Sequence, residues 1–279
     1  VNIMRKLIFA TAALALSSAA LGAQAQTADK GWTGPYVGAQ AGWGWRAGHG
    51  HDAMGVDSNL DGTFNDTVAN GSGGNLFSPG FCRGTARGST PAAGCHEDNG
   101  GFEFGGRAGY DWQLNHFVVG LVGEASRTDV GDSMSAFSTT PDSYTFSRNL
   151  KGVLAARARA GYAFGGNLLY ATGGYAAGRI QHAFSTTNVD NTATIQQGDK
   201  WANGWQLGGG IEHKVTPNLS LGLEYLYTKL DDKDFTARIA GPASAGNPFL
   251  VANAAGVDLR DGDKDLKTQA VRMTASYRF

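Results

Sequence analysis

Gln269-Ala270-Val271-Arg272-Met273-Thr274-Ala275-Ser276-Tyr277-Arg278-Phe279 is the stretch on which the reading of this chain turns. Val271, Met273, Ala275, Tyr277 and Phe279 are apolar and alternate with Arg272, Thr274, Ser276 and Arg278. A period of two with opposite chemistry on alternate positions is a β-strand with one apolar and one wet face. A strand of an ordinary soluble sandwich satisfies the same pattern, so the rest of the chain must decide between the two.

The pattern repeats. Working back from this strand (Lys267 to Phe279), similar segments run over Leu219–Leu230, Gly204–Val215, Leu168–Arg179, Lys151–Phe164, Phe117–Ser126, Phe102–Gln113 and Tyr36–Trp45. Asn115-His116, Gly165-Gly166-Asn167 and Thr216-Pro217-Asn218 are turn signals that join three of the pairs tightly. The other four connections are long and polar; the first, Arg46 to Gly100, could hide another hairpin. Short connections on one side and long ones on the other describe an up-and-down antiparallel meander of eight strands. Each strand is long enough for the roughly 9–11 residues that a tilted membrane-spanning strand needs.

The two faces decide which side meets what. Phe102, Phe104, Tyr110 and Trp112 oppose Glu103, Arg107 and Asp111; Leu154, Ala158, Tyr162 and Phe164 oppose Lys151, Arg157 and Arg159; Leu219, Leu221, Leu223 and Tyr225 oppose Ser220, Gly222 and Glu224, with Leu226 an exception. The Gly-rich fifth segment has no readable parity. An eight-stranded barrel has a small interior, too small for all the large apolar side chains. The small and charged face therefore points inward and the large apolar face meets lipid. Aromatic residues gather at both ends of the strands, as two membrane interfaces require. The expected fold is all-β: an eight-stranded transmembrane barrel with long extracellular loops and short periplasmic turns.

Export fits this fold. Arg5 and Lys6 precede an apolar run, Leu7 to Leu21, and a small-x-small site, Ala23-Gln24-Ala25. Residues 1–25 read as a signal peptide cleaved after Ala25, and 26–279 as the barrel domain. No other stretch has the ~18 apolar residues of a membrane helix. Gly supplies 42 of 279 residues, about twice its usual share, which suits tightly curved strands rather than helices. Without the signal, 21 basic and 24 acidic residues leave a net charge of −3, so nothing points to nucleic acid. Cys82 and Cys95, 13 residues apart in an exported chain, read as one disulfide; a metal pair with a histidine is the alternative.

Trp32-Thr33-Gly34-Pro35-Tyr36-Val37-Gly38, Leu169-Tyr170-Ala171-Thr172-Gly173-Gly174-Tyr175 and the closing Tyr277-Arg278-Phe279 resemble alphaproteobacterial outer-membrane immunogenic proteins, small porin-like barrels related in fold to OmpA and OmpX. Tyr277 and Phe279 also resemble the assembly signal of such barrels, although Thr274 stands where that signal usually has Gly. The resemblance implies a surface antigen of the cell outer membrane that supports the envelope, often without catalysis.

Three constellations could carry chemistry. Arg107, Glu124, Arg157, Arg159, Glu212, Glu224 and Arg272 all fall roughly five to eight residues from the periplasmic ends of their strands. They are expected to pair across the lumen, as a polar plug or as a gate. Asp57-Ser58-Asn59-Leu60-Asp61-Gly62 matches the first half of a calcium loop, with Asp57, Asn59 and Asp61 as candidate ligands, but Val68 stands where the closing Glu belongs. Asp261-Gly262-Asp263-Lys264-Asp265 is weaker, and His49-Gly50-His51-Asp52 is a loop motif with no readable neighbour. No nucleophile elbow, phosphate loop or HExxH occurs. The function expected is a non-enzymatic structural and surface-interaction barrel without cofactors. A small diffusion porin is the alternative, and a lipid-modifying barrel enzyme or a soluble carrier is less favoured. Its partners would be outer-membrane lipid and lipopolysaccharide, the barrel assembly machinery, and a host or surface ligand at the loops.

Overall fold

A computed structural model describes residues 31–48 and 53–279. The signal-peptide segment and the motif at 49–52 lie outside them. Eight long strands follow one another: β1 Gly34–Arg46, β2 Gly101–Leu114, β3 Phe117–Phe137, β4 Ser143–Phe164, β5 Asn167–Thr186, β6 Lys200–Lys214, β7 Leu219–Asp231 and β8 Asp265–Arg278. Each pairs antiparallel with its chain neighbours. β8 returns to β1, from Tyr36 opposite Arg278 to Arg46 opposite Thr268, so the sheet closes into a ring without a free edge.

Between β2 and β3 only Asn115 and His116 intervene, and Asn115 adopts the positive φ (57°) that a tight hairpin asks of it. Gly165 does the same between β4 and β5. At this end Trp32 folds under the ring, accepting a place beneath Lys214 and Arg278, whose cationic groups lie 5.2 and 5.5 Å from its ring centre.

Burial alternates along the ring strands; the lower part of β3 reads exposed–buried without interruption from Phe117 to Val130. The parity of β5 is now fixed: Leu168, Tyr170, Thr172, Ala176 and Ile180 are buried inside, and Leu169 and Tyr175 are exposed. Leu226 points inward with the polar residues and is buried.

The opposite end differs from the expectation of open polar loops. β3 and β4 continue well past Ser126 and above Lys151, across a bulge between Arg127 and Val130, so only residues 138–142 connect them. The long first connection adds no strand to span the ring. It contributes Met54–Asp57 to a separate four-stranded sheet with Val257–Asp261, Thr236–Ala240 and Thr192–Ile195, drawn from three different connections. Alternation in these short strands turns Ala237, Ile239, Val257 and Leu259 inward. They close a core with Val56, Val68, Leu76, Phe77, Phe249 and the extended ends of β3 and β4. Phe77 lies edge-on to Tyr144, 5.4 Å between ring centres, and 6.2 Å from Phe249. The connections thus fuse into a cap with its own hydrophobic core. Cys82 and Cys95 are bonded within it, tying Gly80–Arg83, which pairs with the end of β3, to Cys95–His96.

Candidate functional site: the charged lumen

The interior of the ring is filled in levels. Reading up β5, Leu168 belongs to an apolar group with Trp32, Val118 and Ala163 near the short turns. Tyr170 then reaches the first buried charges. Ala176 and Ile180 join Leu150, Val153, Leu230 and Leu266 in a second apolar group beneath the cap.

The middle level is built on one cross-strand row: Glu103 opposite Gly42, Gly42 opposite Arg272, Arg272 opposite Glu224, Glu224 opposite Gly210 and Gly210 opposite Tyr170. Alternate positions of a strand share a face, so side chains of this row project into the same small space. Gly42 makes room: a Cβ there would lie 2.6 Å from Arg272 Cα. Arg272 donates to Glu103 Oε1 at 2.7 Å, Glu124 Oε2 at 2.6 Å and Glu224 Oε1 at 2.6 Å. Arg107 donates to Glu224 at 2.8 Å and to Gln40 at 2.9 Å. Arg157 donates to Glu124 at 2.5 Å, and Tyr170 to Glu224 Oε2 at 2.8 Å. Arg157, Arg272 and Glu224 are each no more than 2 % exposed. Three guanidinium and three carboxylate groups balance, which is what burial of charge demands.

A second cluster sits nearer the short turns. Arg159 pairs with Asp111 through two nitrogens and donates to Glu212 at 3.0 Å; Arg278 donates to Asp111 at 2.7 Å and to the carbonyls of Trp32 and Gly34. Gly120 separates Asp111 from Arg159 in the row, and a Cβ at that position would lie 2.0 Å from Asp111 Oδ1. Tyr36 lies under both arginines, 4.7 Å from Arg159 and 5.0 Å from Arg278.

The seven residues expected in one layer therefore occupy two clusters: Arg107, Glu124, Arg157, Glu224 and Arg272 in the middle, Arg159 and Glu212 below. All seven are buried. Sequence reading left out Gln40, Glu103, Asp111, Tyr170 and Arg278. Alternation marks Glu103, Asp111 and Arg278 as inward, but counting from strand ends does not reach them, because the strands are staggered.

A third group lies under the cap. Arg148 pairs with Asp132 and with Asp261 at 3.1 Å, and Arg46 with Asp132 at 2.6 Å and Asp263 at 3.3 Å. His182 places Nε2 against Asp232 at 2.9 Å and Nδ1 against Gly198 O at 3.0 Å. Asp98, on the loop beside it, lies 3.9 Å from Arg46, and burial pushes its carboxyl up to about 6, a direction that the Asp132 charge reinforces and Arg46 and hydrogen bonds from Ser133 oppose. A raised carboxyl binds its proton more tightly in the folded state, so its contribution is present below about pH 4 and is lost as pH rises through 6. Asp98 is accordingly expected to titrate near pH 6 by carboxyl-carbon NMR, while a midpoint near 4 would show that the loop is solvated.

Asp57, Asn59 and Asp61, the candidate calcium ligands, lie together on one turn. Asp57 accepts from the amides of Asp61 and Gly62 at 3.1 and 2.8 Å, Asn59 from Asp61 at 2.9 Å and Asp61 from Thr63 at 2.7 Å. Their oxygens close an Asx-rich turn, and no group of three His, Cys, Asp or Glu side chains among the described residues is arranged to hold a metal.

The outer face of the ring is the reverse of the inner. Leu121, Leu169, Leu207 and Met273 are each more than half exposed. Trp43, Phe102, Phe104, Trp205 and Tyr225 ring the cap end; Trp112, Phe117, Tyr162, Phe164, Tyr277 and Phe279 ring the short-turn end. Tyr277 and Phe279 meet edge-on at 5.3 Å on this outer face. A continuous apolar belt of that extent is not a soluble surface.

A closed ring with polar inside and apolar outside defines a class, and the sequence matches it: residues 11–279 fit the family model of the outer membrane protein beta-barrel domain. The chain belongs to this family and is a protein of the cell outer membrane. It is 36 % identical over 137 residues to a 31 kDa outer-membrane immunogenic protein of Brucella melitensis, an alignment covering 48 % of this chain and 56 % of that one. It is 29 % identical over 136 residues to a 22 kDa outer membrane protein of Rhizobium leguminosarum, covering 48 % of this chain and 56 % of that one. The chain thus spans little more than half the length of these relatives. Among solved structures, the outer membrane protein OprG of Pseudomonas aeruginosa is 10 % identical with a TM-score of 0.38, covering 90 % of this chain and 99 % of that one.

Proposed function

We propose that the chain is an eight-stranded barrel that spans the outer membrane, with short turns in the periplasm and a fused cap outside, and that it acts as a structural and surface-interaction protein whose lumen is shut. The observation that carries this reading is the middle cluster. A solute crossing the barrel would have to separate Arg272 from three carboxylates at 2.6–2.7 Å, in a space already filled by Arg107, Arg157 and Tyr170. Separating buried ion pairs without water costs several kcal/mol. The apolar group beneath the cap closes the same path again.

The relatives' names, immunogenic proteins of outer membranes, fit a cap displayed at the surface. Tyr277 and Phe279 on the closing strand suit recognition by the barrel assembly machinery, and a host or surface ligand would meet the cap.

Liposomes carrying the folded protein should swell in small sugars no faster than empty ones; swelling at a porin's rate would favour the diffusion-channel reading. The membrane-facing assignment has its own test. Ala158 is exposed mid-strand, opposite Leu121 and Gly173. Ala158→Arg should cost about 2–4 kcal/mol in bilayer folding, measured by urea titration in lipid vesicles; a neutral effect would place that face in water.

A further inference from the structure

On the outer face, five strands align one row of residues: Phe104 opposite Arg127, Arg127 opposite Gly152, Gly152 opposite Arg179 and Arg179 opposite Trp201. All five positions face outward. Phe104 and Trp201, at the two ends, are 51 % and 53 % exposed. Between the two arginines stands a glycine, at the bulge that offsets β3, β4 and β5. A groove of about 410 Å³ opens here, lined by Phe104, Arg127, Gly152, Leu154, Arg179 and Trp201.

The two arginines of this groove have no close carboxylate among the described residues. Arg127 makes no ion pair with any described residue, and Arg179 has only Asp199 at 4.0 Å, with both side chains about half exposed. Lys151, which also lines the groove, is already paired with Asp129 at 2.5 Å. Two other outward cations are matched: Lys229 pairs with Asp265 at 2.9 Å and Lys267 with Asp263 at 3.8 Å.

We propose that Arg127 and Arg179 clamp the phosphate of an outer-leaflet lipid, with its acyl chains lying along the apolar wall below. Neighbouring strands are about 4.8 Å apart, so the two arginine backbones lie about 10 Å apart with no side chain between them. That span lets two guanidinium forks converge on one phosphate, the anion their geometry suits best. The level is right as well: flanking aromatic residues mark the headgroup depth of a membrane. Below the row, Leu121 and Leu154 offer the exposed apolar surface that acyl chains need.

This rests on the membrane-spanning reading above. The test uses the full chain refolded in zwitterionic micelles, with folding checked by heat-modifiable mobility on gels. Diphosphorylated lipid A, its dephosphorylated counterpart and inorganic phosphate are titrated separately. Wild type should bind the phosphorylated lipid at least tenfold tighter than the dephosphorylated one, and Arg127→Ala with Arg179→Ala should abolish that preference while remaining heat-modifiable. Lys229→Ala, on a distant strand, should bind like wild type. A folded wild type without preference, or a double variant equal to it, would overturn the clamp. Competition by inorganic phosphate as strong as by lipid would overturn the lipid assignment. A wild type that forms no heat-modifiable species would instead remove the barrel reading, and the clamp with it.

Discussion

Arg272→Ala is expected to destabilise the folded barrel by about 3–5 kcal/mol, the cost of breaking a buried ion pair from one side. Arg272 is the hub of the middle cluster, reaching Glu103, Glu124 and Glu224 at once. Without it, three carboxylates share Arg107 and Arg157, and Glu103 loses the ion-pair partner it has here. Water can enter a cavity left by an arginine, which moderates the loss but does not restore the charge balance. Urea unfolding from lipid vesicles measures it. A companion variant separates charge from packing: adding Glu103→Gln to Arg272→Met removes one negative charge along with the positive one, leaves two guanidinium and two carboxylate groups, and should recover much of the stability. If the single variant costs under 1 kcal/mol, the cluster is solvated and the lumen is wetter than these distances imply.

Phe77→Ala is expected to cost the cap about 3–5 kcal/mol, the usual range for an aromatic removed from a packed core. Phe77 is 3 % exposed and sits between Tyr144 of β4 and Phe249 of the short helix Pro248–Ala252. The loss should be local. The ring is held by its own ladders and ion pairs, so heat-modifiable mobility should persist while amide exchange and proteolysis rise across 53–100 and 232–264. A variant whose ring unfolds together with the cap would show that cap and barrel form one cooperative unit.

These two sites differ in how far they could be read from sequence. The ring was legible because alternation over ten or more residues is a strong local signal, and Arg107, Arg157 and Arg272 follow from it directly. Their partners were half legible. Glu103 and Asp111 lie on the correct face of β2, but which carboxylate meets which arginine depends on strand stagger, and stagger is a property of the closed ring. Tyr170 was hidden by the glycines of β5, which erase parity. The cap was not legible. Val56, Phe77, Ile239 and Phe249 lie in apolar runs too short to show a period, and the strands of Val56 and Ile239 are only four and five residues long. What unites them is contact between segments far apart in the chain, such as Asp57 opposite Asp258. No local pattern encodes that.

At Asp57, Asn59 and Asp61 the spacing of ligands and that of an Asx turn coincide: the same oxygens accept from the backbone of their own turn.

Single-channel recording in planar bilayers tests the central claim, a shut lumen, most directly. Folded wild-type protein should insert, as judged by protease protection of the ring, and show no steady conductance in 1 M salt. With Arg107→Ala, Arg157→Ala and Arg272→Ala combined, the fraction that inserts should leak. Large, uniform and lasting current steps from the wild type would contradict the account and make the protein a porin.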